Sequence, residues 1–138
     1  MERNIIIAGV GGQGILTIAT ILDMAAMHAG LNIKQAEVHG MSQRGGEVQT
    51  HLRIADGQIF SDLIPMGQAD LILSVEPLES LRYLPYLKKD GAIVTSDEPF
   101  KNIGNYPDEQ KVMDTIRKSA ENVVFAEVFS SPLYPYHR

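Results

Sequence analysis

The fold is decided by a stretch near the start of the chain, Ile5-Ile6-Ile7-Ala8-Gly9-Val10-Gly11-Gly12-Gln13-Gly14. Residues 4–8 form a short apolar run that is rich in β-branched side chains and ends at glycine, which is typical of a buried strand. After the glycines, apolar side chains recur at helical spacing at Ile15, Ile18, Ala19 and Leu22. This spacing predicts an amphipathic helix over residues 13–29. A strand, a glycine turn and a helix in this order indicate a Rossmann-like start of an α/β fold.

The following residues predict a mixed, mainly parallel sheet. Residues 32–38 resume as a strand, so we expect a β-α-β unit in which this strand pairs in parallel with the first through a right-handed crossover. Residues 47–54 alternate in period two and lead into Asp56-Gly57. This pattern predicts an antiparallel hairpin whose second strand covers residues 58–64.

The second half of the chain continues to alternate strands and helices. Three apolar runs are typical of strands and lie at residues 69–75, 92–95 and 123–128. Two helices are predicted between them, one from Pro77 to about Leu84, where Pro85 interrupts it, and one from Pro107 to about Glu121. The second helix has a predicted buried stripe made of Val112, Met113, Ile116 and Ala120. We therefore expect a single three-layer α/β/α domain over residues 1–138.

Composition excludes several classes of protein. The 138 residues include 12 basic and 17 acidic side chains, giving a net charge of −5, and no stretch concentrates Lys or Arg as a nucleic-acid surface would. The chain has no cysteine, so it forms no disulfide and holds no Cys-ligated iron–sulfur cluster. We see neither a signal peptide nor an apolar run of about 18 residues, so we expect a cytoplasmic protein with no membrane partner.

The glycine turn is a candidate phosphate-binding site. Gly9, Gly11 and Gly14 satisfy G-x-G-x-x-G between a predicted strand and a predicted helix, where bare backbone N–H groups and the helix dipole can hold an anion. The cofactor-binding residues predicted here are Gly9, Gly11, Gly12, Gln13 and Gly14. Glu37 lies 23 residues beyond Gly14, where a dinucleotide site would place an acid for the ribose hydroxyls. The alternative is that the glycines only allow tight packing of helix on strand.

A second glycine loop follows the second predicted strand and should lie beside the first at the same sheet edge. Its predicted cofactor-binding residues are Gly40, Ser42, Gln43, Arg44, Gly45 and Gly46. Arg44 can bind a phosphate or carboxylate through two parallel hydrogen bonds, and the neighbouring polar side chains can add neutral ones. The alternative is a structural turn in which Arg44 pairs with Glu37 or Glu47.

Other polar residues give no catalytic set. We interpret His39 and His51 as structural or interface residues, because their spacing fits no metal motif and the alternation around His51 places it on the polar face of a strand. Glu76 is expected at the end of a strand and Glu79 on a solvated helix face. No catalytic residue and no metal site is predicted, so the chain offers a binding crevice without reactive groups of its own.

Together these motifs resemble the gamma-type subunit or domain of 2-oxoacid:ferredoxin oxidoreductases, and within that family the beta subunit of the indolepyruvate branch. The resemblance rests on the run at residues 5–14, on the loop Glu37-Val38-His39-Gly40-Met41-Ser42-Gln43-Arg44-Gly45-Gly46 with Val48 and Arg53 after it, and on Ala69-Asp70-Leu71-Ile72-Leu73 before Glu76-Pro77. It covers roughly residues 4–125 and joins several motifs in one order, so it is far more specific than the glycine pattern alone.

The resemblance implies a share in a larger enzyme. Such complexes oxidatively decarboxylate a 2-oxoacid with thiamine diphosphate, pass electrons through iron–sulfur clusters to ferredoxin, and trap the acyl group on coenzyme A. Thiamine diphosphate and the clusters are then expected on a larger partner subunit, and this chain is inactive alone, with its glycine loops as candidates to border the coenzyme A route. A homo-oligomer is left open.

Two other hypotheses remain at this stage, a stand-alone NAD-binding oxidoreductase and a nucleotide-sensing module. Family members usually continue for several dozen residues, and residues 126–138 do not resemble that continuation. Whether this C-terminal segment is native or results from truncation is left open by the sequence.

Overall fold

A computed structural model of the chain describes residues 1–39, 46–101 and 103–127, with only the backbone of His39. In this described part, the strands are β1 (Glu2–Val10), β2 (Asn32–His39), β3 (Glu47–Ala55), β4 (Ala69–Ser74), β5 (Leu87–Ser96) and β6 (Asn122–Ala126). The helices are α1 (Ile15–His28), α2 (Pro77–Arg82) and α3 (Glu109–Ser119), with a 3₁₀ turn at Leu84–Tyr86. The strands form one sheet in the order β2-β3-β1-β4-β5-β6.

The predicted mixed sheet is confirmed, but one pairing within it was wrong. β1, β4, β5 and β6 pair in parallel, whereas β3 lies between β1 and β2 and pairs antiparallel with both. The strands β1 and β2 therefore run in the same direction but do not pair with each other. β3 is therefore inserted between the two strands of the expected β-α-β unit. It forms backbone hydrogen-bond ladders with β1 on one edge and with β2 on the other.

The hairpin predicted around Asp56-Gly57 was also wrong. Residues 58–64 are not a strand, because both edges of β3 are already occupied by β1 and β2. Side chains on β3 hold this segment instead. The Arg53 guanidinium donates to the carbonyls of Ser61 and Leu63, and Nδ1 of His51 accepts the N–H of Ile64 at 2.9 Å. The segment therefore crosses the sheet face as an irregular cover.

The sheet separates two apolar layers, which confirms the three-layer α/β/α architecture. On one face, α1 packs on β1 and β3 through a cluster of Ile7, Ile15, Ala19, Val48, Leu52 and Val75. On the other face, α2 and α3 pack on a cluster that includes Ile6, Ile72, Ile93, Val112 and Ile116. These opposite faces follow from the alternation of side chains along each strand.

The helices differ from their predicted bounds by a few residues. α1 begins at Ile15 rather than residue 13, because Gly12 and Gly14 have φ angles of +96° and +86° that belong to the turn. α2 already ends at Arg82. Of the stripe predicted for α3, Val112 and Ile116 are buried, and its other members are half-buried.

Two further expectations concern membranes and the C-terminus. No helix in the described ranges is long and apolar enough to cross a membrane. Residues 128–138, including the last predicted strand residue, lie outside the described residues.

Candidate functional site

The sheet reverses its winding between β1 and β4. These neighbouring parallel strands are followed by helices on opposite faces, α1 after β1 and α2 after β4. In open α/β sheets, ligands bind in the crevice that such a reversal leaves at the carboxyl ends of the strands. The turn at residues 9–14 follows β1 at this point, and the connection through Val75 and Glu76 follows β4.

Glycine is required by close packing at Gly9. A Cβ atom there would lie 2.6 Å from Cδ1 of Ile15 and 2.7 Å from Cγ2 of Val75, far inside van der Waals contact. Gly12 and Gly14 are different, since a Cβ on either would meet open space and only their left-handed backbone favours glycine. The packing alternative therefore describes Gly9, whereas Gly12 and Gly14 shape an open turn.

The side chain of Gln13 links the two sides of the crevice. Its Oε1 accepts the N–H of Val10 at 2.8 Å, and its Nε2 donates to the carbonyl of Val75 at 3.4 Å. The side chain therefore joins the end of β1 to the segment after β4. This bridging role is additional to the cofactor contact predicted for Gln13, which stays a prediction.

A hydrogen bond joins the first glycine turn to Gly46, the described residue of the second glycine loop. The N–H of Gly11 donates to the carbonyl of Gly46 at 2.9 Å, so the first turn lies against the residue that leads into β3. Gly40, Ser42, Gln43, Arg44 and Gly45 lie outside the described residues, and their predicted contacts stay predictions.

A shallow groove of about 190 Å³ opens beside the turn. It is lined by Val10, Gly11, Gly12, Gly14, Ile15, Leu16, Glu37 and Val48. Gly14 is the N-cap of α1 and provides no side chain to cap the helix. In the described part of the chain, no side chain caps the N–H groups of the first helical turn, and these groups and the positive end of the helix dipole suit an anion. Glu37 shares this groove, although β3 separates its strand from β1.

On the other side of the crevice, the buried carboxylate of Glu76 lies at the start of α2. The sequence correctly placed this residue at the end of a strand but predicted no partners for its side chain. Glu76 follows β4, caps α2 and is completely buried. Its Oε1 accepts the N–H of Glu79 at 3.1 Å, and its Oε2 accepts the N–H of Phe100 at 3.0 Å and the hydroxyl of Tyr106 at 2.9 Å. Burial and the carboxylate of Glu76 raise the pKa of the Tyr106 hydroxyl.

The solvated position expected for Glu79 was wrong. Its side chain is 2% exposed, and its Oε2 accepts a hydrogen bond from Nε of Arg82. Burial raises the pKa of Glu79. Within the described part of the chain, neither its Oε1 nor the buried hydroxyl of Tyr83 has a hydrogen-bond partner. The spacing of Glu76 and Glu79 around Pro77 resembles a helix capping box, which could have revealed Glu76 as the N-cap of α2 but not the burial of Glu79.

His51 is a structural residue, as predicted, but it does not lie on a polar face. It is 3% exposed, and its ring meets the ring of Tyr86 edge-on at 5.2 Å between centroids. Burial lowers its pKa. The side chain of His39 lies outside the described atoms. In the described ranges, no group of three or more His, Cys, Asp or Glu side chains is placed to hold a metal ion.

Comparison with known proteins assigns the family. Residues 4–130 match the family described as pyruvate ferredoxin/flavodoxin oxidoreductase. The chain belongs to this family. The glycine turn, the start of β3 and the buried Glu76 all fall inside the matched range, so the crevice described above is part of the family domain.

Several archaeal relatives carry the name indolepyruvate oxidoreductase subunit IorB. The chain is 47% identical to that of Thermococcus kodakarensis over 126 residues, covering 87% of this chain and 60% of the relative. It is 52% identical to that of Pyrococcus horikoshii over 98 residues, covering 71% of this chain and 48% of the relative. The chain thus spans about half to three-fifths of the length of these relatives.

Solved structures share the fold of this family member. Pyruvate oxidoreductase subunit PORC of Thermotoga maritima superposes with a TM-score of 0.62 at 18% identity, covering 91% of this chain and 62% of that one. The 2-oxoglutarate:ferredoxin oxidoreductase of Magnetococcus marinus superposes with a TM-score of 0.64 at 19% identity, covering 92% of this chain and 20% of that one. The α/β fold with its mixed sheet is therefore the architecture of these oxidoreductase chains.

Proposed function

We propose that this chain is the small subunit of a cytoplasmic 2-oxoacid:ferredoxin oxidoreductase that acts on indolepyruvate and related aryl pyruvates. The observation that carries the proposal is the 47% identity over 126 residues to a subunit named indolepyruvate oxidoreductase IorB. The whole reaction converts a 2-oxoacid and coenzyme A into an acyl-CoA and CO₂, and its two electrons pass to ferredoxin.

The larger partner subunit supplies the reactive groups in this proposal. Without a cysteine, this chain has no thiolate for an iron–sulfur cluster. We assign the clusters and thiamine diphosphate to the larger subunit, which also delivers electrons to ferredoxin. The small subunit then contributes binding and positioning, and we expect no turnover from it alone. Its membership of the oxidoreductase family favours this proposal over a stand-alone NAD-binding enzyme or a nucleotide sensor.

The groove beside the glycine turn is the part of the chain that we assign to coenzyme A. Its uncapped helix start offers backbone N–H groups to a pyrophosphate, and Gly12 and Gly14 place no side chain in the way. The Magnetococcus enzyme, which shares the fold, was solved with coenzyme A bound. A volume of about 190 Å³ is small beside ordinary ligand pockets of roughly 300–1,000 Å³, so the groove holds only part of the ligand. We assign a second phosphate contact to Arg44, with Ser42 and Gln43 beside it.

Reconstitution tests the proposal. The purified chain is mixed under anaerobic conditions with the larger subunit encoded by the same organism, and complex formation and coenzyme A-dependent dye reduction with indolepyruvate are measured. We expect a stable complex that turns over and no activity from the chain alone. Failure of the two subunits to associate would contradict the proposal, as would tight NADH binding by the isolated chain, seen as a change in NADH fluorescence.

A further inference from the structure

The helix α1 is apolar on the side that faces away from the sheet. Its inner side packs on β1 and β3, as expected for an α/β layer. Four large apolar side chains lie on the opposite side and are more than half exposed, Leu16 (54%), Ile21 (60%), Met24 (57%) and Met27 (68%). We call these four residues the outer face of α1. Two exposed threonines, Thr17 and Thr20, lie among them, and a helix with large apolar side chains on both sides is normally buried on both.

The other long helix, α3, has an exposed side of the ordinary kind. The exposed side of α3 is polar and charged, and Arg117 pairs there with Asp114 at 3.0 Å while Gln110 donates to the same carboxylate. Only the inner side of α3 is apolar. The outer face of α1 therefore differs from the exposed side of α3, and large apolar side chains exposed on one side of a helix in this way mark an interaction surface.

One acidic side chain beside the outer face indicates the chemistry of what covers it. Asp23 is the only acid in α1, and it lies one helical turn before Met27 and next to Met24. Its Oδ1 is buried and has no hydrogen-bond partner among the residues that the structure describes, and burial raises the pKa of this carboxyl group. A desolvated carboxylate oxygen without a donor is costly, and a positively charged donor satisfies it best.

The outer face is also continuous with the groove assigned to coenzyme A. Leu16 belongs to both, since it forms part of the groove wall and begins the apolar stripe. A surface that lies along α1 would therefore reach the mouth of the groove. This explains how a groove of about 190 Å³ could be completed around a larger ligand.

We propose that the outer face of α1 is the docking surface for the larger subunit, which covers it with an apolar patch carrying one basic side chain opposite Asp23. This inference rests on the proposed function, since that function supplies the partner. Docking here would bury the outer face, pair Asp23 and close the glycine groove in one step.

The test uses the full chain and the larger subunit, with the dissociation constant measured by calorimetry. We expect Met24→Asp to weaken association about tenfold or more, because it places a charge in the centre of an apolar contact. Asp23→Asn should weaken it to a smaller extent while leaving the free chain at least as stable, since a desolvated charge is removed. The matched control is Phe60→Asp, because Phe60 is 84% exposed and its segment covers the opposite face of the sheet. Thermal unfolding verifies that each variant is folded.

The outcomes separate the two proposals. If the wild-type chain does not bind the larger subunit, the proposed function fails. If the wild-type chain binds and Met24→Asp binds equally well, only the docking surface is overturned. Light scattering that shows a dimer of the free chain, lost in Met24→Asp, would assign the face to a second copy and overturn the inference. Nuclear Overhauser contacts in the free chain between the methyls of Met24 or Met27 and the rings of Tyr134 or Tyr136 would also overturn it, because the chain would then cover its own helix.

Discussion

The hydroxyl of Tyr106 donates a hydrogen bond of 2.9 Å to Oε2 of Glu76, and this bond joins the segment before α3 to the end of β4. The same carboxylate caps α2 through the N–H of Glu79 and holds the N–H of Phe100. A buried carboxylate is tolerated when hydrogen bonds satisfy it on several sides. Glu76 therefore fixes the α2 side of the crevice, opposite the glycine turn.

This arrangement predicts a measurable coupling between Glu76 and Tyr106. We expect Tyr106→Phe to lower the free energy of unfolding by about 1.5–3 kcal/mol, the usual worth of a hydrogen bond to a charged group. Glu76→Gln should cost more, because its amide presents a donor to groups that donate. In a double-mutant cycle measured by urea unfolding, the coupling should be at least about 0.5 kcal/mol, and additive effects would show that the two side chains act independently.

Gly9 should be among the least replaceable glycines. In Gly9→Ala the new Cβ would meet Ile15 and Val75 at 2.6 and 2.7 Å, so one of the two layers must shift. We expect a loss of about 1–3 kcal/mol in the free energy of unfolding. Gly104→Ala is the matched control, because a Cβ there meets nothing within 4 Å and the backbone is not left-handed. Equal stability of the two variants would contradict the close packing at the turn.

A substitution at Gly12 tests whether the groove binds coenzyme A, separately from effects on the stability of the chain. Gly12→Asp places a carboxylate where we assign the pyrophosphate, and in the reconstituted complex we expect the KM for coenzyme A to rise about tenfold or more. Gly30→Asp is the control, since Gly30 also has a positive φ and open space but follows the far end of α1. The backbone strain is thus shared and only the position differs. An equal change of KM in both variants would remove the groove from the coenzyme A route.

Local patterns predicted the elements that depend on neighbours in sequence. The alternation of apolar runs with Pro77 and Pro107 located β4, α2 and α3, and the glycine motif located the turn before α1. These features need only a few adjacent residues to specify them. The choice of strand partners is different, because β3 could pair through a hairpin or insert between β1 and β2. Its insertion depends on backbone pairing with β1, which lies far away in the sequence, so no local pattern encodes it.

The candidate site also combines features that local sequence predicts with features that depend on tertiary packing. The glycine turn was predictable because its geometry requires glycine at several nearby positions, Gly9, Gly12 and Gly14. The buried position of Glu79 was not, since a glutamate in the first turn of a helix is normally solvated there. Its burial requires α2 to lie against β1 and β4 and requires Arg82 to neutralise it, and both conditions arise only from tertiary packing.

His51 makes the stability of the chain depend on pH. Its Nδ1 accepts the N–H of Ile64, so the ring is neutral in this arrangement, and burial lowers its pKa below the ordinary 6.5, partly opposed by the charge of Asp62. The unfolded chain therefore binds more protons than the folded chain as the pH falls through about 6.5. This contribution to stability is complete above that pH and is lost below it. His51→Gln keeps an acceptor for Ile64 but does not titrate, so urea unfolding at about pH 7.5 and about pH 5.5 should show a smaller loss of stability in the variant than in the wild-type chain. The same loss in both proteins would mean that His51 is not the group whose protonation loosens the cover formed by residues 58–64.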